Sequence, residues 1–145
     1  MKRYMDVKDL EVYRVLCQLY IEVCEITSSW PSQERYELGT QVRRSSNSAP
    51  AQLAEKNDDR HIRNKIEGIN RSRGEAAETI HHLFMATLKH YITDSTYDAY
   101  SCGTSNVFEC STASKDHWRN TCLKKTDDGT LNDPAPRHRT LNTDH

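Results

Sequence analysis

Long apolar runs are missing from this chain of 145 residues. No stretch approaches 18 consecutive apolar side chains, which argues against a membrane-spanning helix. Glycine and proline are scarce, at 5 and 4. A turn-rich β-fold needs more of both, so helices are favoured. The five cysteines lack any Cys-x-x-Cys spacing. That argues against a zinc ribbon or a disulfide framework and fits a reducing compartment. An excess of positive charge is missing too. The net charge is −1, so a uniformly basic nucleic-acid binder is excluded and only a local patch stays open. The start, Met1-Lys2-Arg3-Tyr4-Met5-Asp6, has no apolar core of a secretory leader, so a cytoplasmic location is expected.

What is present is uneven. From residue 10 to 100, 36 of 91 residues are hydrophobic, against 11 of 45 from residue 101 onward. Every Tyr, Ile and Met precedes Ser101. The pattern predicts a helical domain over residues 6–100 and a polar, largely disordered tail over 101–145.

Apolar periodicity places the helices. The first spans about 9–29, with Asp9 as its expected N-cap. Its polar arc is narrow: Glu11, Arg14, Gln18, Glu22 and Glu25. Apolar residues cover well over half its circumference, wider than the stripe of an ordinary surface helix. It is either the central helix of the domain or a helix that also faces another subunit. Cys17 and Cys24 lie on one of its faces and read as small core hydrophobes. Pro31 ends this helix region, and Ser32 is suited to cap the next. The second helix is expected over about 33–56, kinked at Pro50, with Leu38, Val42, Ser46, Ala49 and Leu53 inward. The third is expected over about 59–90, with Asp58 and Asp59 at its start. Its inward stripe contains Ile62, Ile66, Ile69, Ala76, Ala77, Ile80, Leu83, Phe84, Leu88 and Tyr91. Gly74, Ala76 and Ala77 are expected to admit a close neighbour. Thr93 can cap a fourth helix from about Asp94. Short connections between such helices make an all-α, up-and-down four-helix bundle the natural architecture, with three long helices and an irregular fourth.

These residues carry a resemblance. Asp9-Leu10-Glu11-Val12-Tyr13, Trp30-Pro31, Glu34-Arg35-Tyr36-Glu37-Leu38 and Gln41-Val42-Arg43-Arg44-Ser45 appear in order. Pro50, Leu53-Ala54-Glu55, Ile62-Arg63, Arg73-Gly74-Glu75-Ala76-Ala77-Glu78 and Tyr91-Ile92 follow. Over residues 8–100 the chain resembles the four helix bundle protein family, whose members include products of intervening sequences in bacterial 23S ribosomal RNA genes. The resemblance implies a small bundle forming a homopentamer. A related branch comprises accessory proteins of diversity-generating retroelements, which implies RNA and a reverse transcriptase as partners. Those relatives are strongly basic, and this chain is not. It also has Lys56 where the family has Gly, and Gln52 where the family has Asn.

The fourth helix of that family contains a phrase like Arg-Met-Leu-Asn-Gly-Leu, which does not follow Tyr100. Synonymous codons for Glu109 through Lys115 permit Met-Leu-Asn-Gly-Leu in a shifted frame. A single-base insertion or deletion near codon 100 would therefore explain the composition break. Loss of a normal fourth helix would expose part of the Ile80–Leu88 stripe, and an unstable or aggregating product is then expected.

Candidate chemistry is sparse. Residues 41–73 hold Arg43, Arg44, Lys56, Arg60, Arg63, Lys65, Arg71 and Arg73 against Glu55, Asp58, Asp59 and Glu67. Arg43, Arg44, Arg60, Arg63 and Arg71 are the candidate phosphate-binding cations. No aromatic interleaves them, so base stacking is not indicated. Arg73 falls in an apolar stripe, and a charge buried there needs a partner. Glu55 is the acid expected to form a structural ion pair with it. His81 and His82 are adjacent, so their side chains point about 100° apart on a helix and do not share one metal ion. No nucleophile-base-acid set is apparent. The expectation is therefore a non-enzymatic oligomeric scaffold without metal or cofactor, binding RNA or DNA through a basic face. The alternatives are an accessory subunit of a reverse-transcriptase system and a structural protein without a nucleic-acid partner.

Overall fold

Helix α1 (Glu11–Ser28) follows a 3-10 turn at Val7–Asp9. The computed structural model describes residues 6–122, with side chains described through Glu109. Asp9 does not cap α1. Asp6 caps the preceding turn instead, its carboxylate accepting from the Lys8 amide at 3.0 Å. Leu10, in extended conformation, stands at the N-cap of α1 without a side-chain bond. The buried residues Leu16, Leu19, Val23 and Thr27 recur every three or four positions, as one helix face requires. At the far end, Thr27 Oγ1 donates to the Val23 carbonyl at 2.8 Å and Ser28 Oγ to the Glu25 carbonyl at 2.6 Å. Pro31, extended at φ −52° and ψ 147°, then turns the chain.

The expected single helix over 33–56 is two helices. A five-residue α2 (Ser32–Tyr36) is separated from α3 (Leu38–Asn57) by Glu37, whose backbone is not helical at φ −88° and ψ −95°. The reason lies in the carbonyl of Arg35. It accepts from Arg43 Nη2 at 2.8 Å and from Thr40 Oγ1 at 3.2 Å, so side chains satisfy it. Gly39 completes the break, because a Cβ there would lie 3.1 Å from the Glu34 carbonyl. Pro50 sits inside α3, and the helix continues through it.

Helix α4 (Ile62–Leu88) begins three residues later than expected. Asp59 stands before it, accepting from the His61 amide and from Asn64 Nδ2, both at 2.8 Å. Helix α4 ends at a left-handed residue, His90 (φ 61°). The Tyr91 amide bonds the Ala86 carbonyl at 2.9 Å and the His90 amide bonds Thr87 at 2.9 Å, which satisfies the terminal carbonyls. Thr93 Oγ1 accepts from the Thr96 amide at 3.2 Å and starts α5 (Asp94–Cys122), as expected.

Each long helix packs on its neighbour in chain order, and α5 closes back on α1. The result is the expected all-α, up-and-down bundle. Its central contact is between α3 and α4. The residues buried on these two helices include Ser45, Ser46 and Ala49 on α3 and Ser72, Ala76 and Thr79 on α4. Thr79 Oγ1 donates to Ser45 Oγ across the seam at 3.0 Å. Small side chains let the backbones approach, and the hydroxyls of Ser45, Ser46 and Thr79 are paired locally or across the gap, while Ser72 Oγ is buried without a partner among the described residues.

The seam rotates α4 relative to the expected stripe. Ser72 and Thr79 are fully buried, while Phe84 and Leu88 are 44% and 56% exposed. Gly74 has nothing within 4 Å of a Cβ position, so it does not admit a neighbour. That role belongs to Gly68, where a Cβ would meet Lys56 Cβ at 2.6 Å.

The boundary expected at residue 100 falls inside α5. Thr104 and Phe108 are buried, and Tyr97, Tyr100 and Val107 pack against the core. Residues 101–109 thus cover part of the α4 face that a missing fourth helix would have exposed. The remainder of the expected tail, residues 123–145, lies outside the described residues.

Candidate nucleic-acid interface

The candidate cations come from two separated places. Arg60 belongs to the α3–α4 turn and Arg63 to the first turn of α4, and both are exposed. Arg43 and Arg44 lie on α3, about 20 Å along the helix axis from that turn at 1.5 Å per residue. Arg44 is exposed and Arg43 half-buried.

Arg43 is a structural hub. Its Nη1 donates to Thr27 Oγ1 at 3.0 Å and its Nη2 to the Arg35 carbonyl at 2.8 Å. It thereby ties the end of α1 and the end of α2 to α3. A guanidinium held on both branches has little left for a phosphate. Arg71 is bonded to Glu67 at 2.6 Å, one turn earlier on α4, so its charge is compensated on the surface. Asn64, which lies between the α4 cations in sequence, is drawn back to Asp59. The Asp59 carboxyl is held below its usual range, first by the His61 amide bond and then by Asn64. A carboxylate therefore stands immediately before Arg60. Of the five candidates, Arg60 and Arg63 thus form an exposed pair at one turn, with Arg44 exposed but apart from them and Arg71 exposed but joined to Glu67.

No ion pair joins Arg73 and Glu55 among the described residues. Glu55 is exposed and lies 3.3 Å from Lys56 Nζ. Arg73 is exposed on the flank of α4 that faces α5. There it lines a groove of about 380 Å³ with Ala76, Ala77, Ile80, Thr104 and Phe108. The rotation of α4 explains both facts: the stripe containing Arg73 is the edge of the buried face rather than its centre. His81 and His82 have ring centroids 5.4 Å apart on α4. No group of three metal-ligating side chains occurs among the described residues.

Sequence reasoning missed a cluster at the opposite end of the bundle. Glu34 of α2, whose side chain is 13% exposed, pairs with Lys89 just past α4. Tyr91 lies close enough to feel the charge of Glu34, and its ring lies 5.5 Å from that of Trp30. The Lys89 ammonium is held above its usual range, first by its bond to Glu34 and further by the charge of Glu37. The Tyr91 phenol is raised by desolvation, with Glu34 adding to it. Some 55 residues separate Glu34 from Lys89. Only the matched Trp30-Pro31 and Tyr91-Ile92 pairs hinted that these segments meet.

Helix α1 presents a second apolar flank. Tyr13, Cys17, Tyr20 and Cys24 are half-buried, and Ile21 is 51% exposed. Cys17 and Cys24 are free thiols. The Tyr13 and Tyr20 phenols are both raised, first by hydrogen bonds to Cys17 and Cys24 respectively. The two pairs recur at a seven-residue interval along one side of the helix.

The family model described as 23S rRNA-intervening sequence protein matches residues 8–110. No curated protein matches the chain.

Proposed function

Because the chain belongs to the 23S rRNA-intervening sequence protein family, we propose that it is a non-enzymatic, oligomeric helical scaffold that binds RNA or DNA weakly. The observation that carries this reading is the second apolar flank of α1, with Ile21 half exposed beside Tyr13, Cys17, Tyr20 and Cys24. A monomer gains nothing from that flank, whereas a subunit contact buries it. A homopentamer is the assembly the family resemblance implies. Arg60 and Arg63 supply the phosphate contacts, repeated once per subunit around the assembly. Arg44 is a secondary contact, and Arg43 and Arg71 act within the fold. The protein works in the cytoplasm without a cofactor.

The test has two arms. Sedimentation measures assembly, and Ile21→Glu is expected to dissociate it; a wild-type monomer at micromolar concentration overturns the scaffold. Titration with single-stranded RNA at several salt concentrations measures binding. Each lost phosphate contact is expected to reduce the salt slope by roughly 0.7. An unchanged slope in Arg60→Ala/Arg63→Ala removes that pair from the interface.

A further inference from the structure

An open cleft of about 430 Å³ lies between α2, the start of α3 and the end of α4. Leu38 and Met85 give it apolar surface, and Glu34, Glu37, Gln41 and Lys89 give it polar groups. Tyr36 stands beside them, 80% exposed, the most exposed large hydrophobic residue among those described.

The balance of charge and hydrogen bonding decides what the cleft takes. Lys89 is its permanent cation, already engaged by Glu34. Lys89 holds its proton more tightly chiefly through its bond to Glu34, and Tyr91 chiefly through desolvation, with Glu34 and Glu37 adding to both. Two carboxylates, Glu34 and Glu37, line the cleft against the one ammonium of Lys89. His82, on the same wall, is directed to Glu78 at 3.4 Å. Glu34 Oε2 is shielded from water and lacks a hydrogen-bond partner. Glu37 is exposed, and its Oε1 accepts only from the Gln33 side chain at 3.2 Å. Acceptors thus outnumber uncommitted donors.

We infer that this cleft receives an arginine side chain from a partner protein. A guanidinium is a planar cation rich in donors, and it matches a carboxylate edge such as that of Glu37. Its flat face stacks on an exposed ring such as that of Tyr36, and its methylene stem lies on Leu38 and Met85. A lysine ammonium has the charge but not the stacking plane. The break at Glu37 gives the cleft its shape, because it turns Tyr36 and Glu37 out of the register of α3. The cleft lies at the end of the bundle away from Arg60 and Arg63, so the inference is independent of nucleic-acid binding.

The full chain is titrated with a short capped peptide carrying two arginines, and separately with its lysine and citrulline counterparts. Calorimetry gives the affinity, and amide chemical shifts locate the site. Saturable binding of the arginine peptide is expected, with shifts confined to α2, the start of α3 and the end of α4. The lysine peptide is expected to bind about fivefold more weakly through loss of stacking, and the citrulline peptide not measurably. Glu37→Gln is expected to weaken the arginine peptide about tenfold, and Tyr36→Ala to abolish the preference over lysine. Both residues are exposed, so circular dichroism is expected to show the wild-type fold. Equal binding of the citrulline peptide, unchanged binding in both variants, or shifts elsewhere on the bundle overturn the inference.

Discussion

Gly68 and Lys56 face each other across the α3–α4 seam, and a Cβ on Gly68 would lie 2.6 Å from Lys56 Cβ. The Gln52 carbonyl would be only 3.1 Å away. Gly68→Ala is therefore expected to destabilise the bundle by about 1–3 kcal/mol, as overpacking does. Gly74→Ala, on the same helix but in open space, is expected to stabilise it by about 1 kcal/mol. Urea unfolding of the two variants checks the opposite signs. Stabilisation in both would mean that helix propensity, not seam spacing, governs α4.

Arg43 separates structure from binding. Arg43→Met removes bonds to Thr27 and to the Arg35 carbonyl. A loss of about 1–3 kcal/mol of stability is expected. Arg60→Ala and Arg63→Ala are expected to change stability by less than about 0.5 kcal/mol, as exposed substitutions do. Thermal unfolding beside RNA titration distinguishes the two kinds of arginine. A fully stable Arg43→Met variant with weakened RNA binding would return Arg43 to the interface.

Asp59 gives the start of α4 an acid dependence. Its folded pKa is lowered by the His61 amide and Asn64. The contribution is present above the unfolded aspartate value of about 3.9 and is lost as pH falls through the folded value. Amide exchange at His61 through Lys65 is expected to accelerate over that acidic range relative to the rest of α4. In Asp59→Ala the difference between pH 6 and pH 3 at these amides is expected to shrink. An equal difference in wild type and variant would assign the effect to another carboxyl.

Phe108 tests whether α5 belongs to the cooperative fold. It is 7% exposed, and the groove beside it already admits solvent. Phe108→Ala is expected to cost about 3 kcal/mol, at the low end for a buried aromatic. Denaturant unfolding measures it. No loss of stability would mean that the bundle folds without this part of α5.

The bundle was legible in the sequence because its long helices carry apolar periodicity and short connections. The one-residue break at Glu37 before α3 was not. It depends on Arg43 reaching back to the Arg35 carbonyl, a contact spanning eight positions with no periodic signature. Nor was the rotation of α4 visible, because Ser45, Ser72 and Thr79 look polar in sequence yet line the tightest contact. The same error displaced Arg73 from the flank to the core and produced the expected pair with Glu55. Composition misplaced the domain end as well: Thr104 and Phe108 are buried past residue 100, in a stretch whose average is polar. Among the candidate cations, the sequence identified residue types, but which guanidiniums were committed could be read only once Thr27, Arg35 and Glu67 were placed beside them.

The tight seam between α3 and α4 also orders events in time. These helices are joined by a short turn, so their contacts close a small loop, and they share the most extensive contact of the bundle. Helix α5 meets the rest through a sparser contact, with an open groove along α4. The α3–α4 hairpin is thus the natural nucleus, and α1 and α5 dock upon it. Unfolding is expected to run the other way, with the Ser45–Thr79 bond among the last to break.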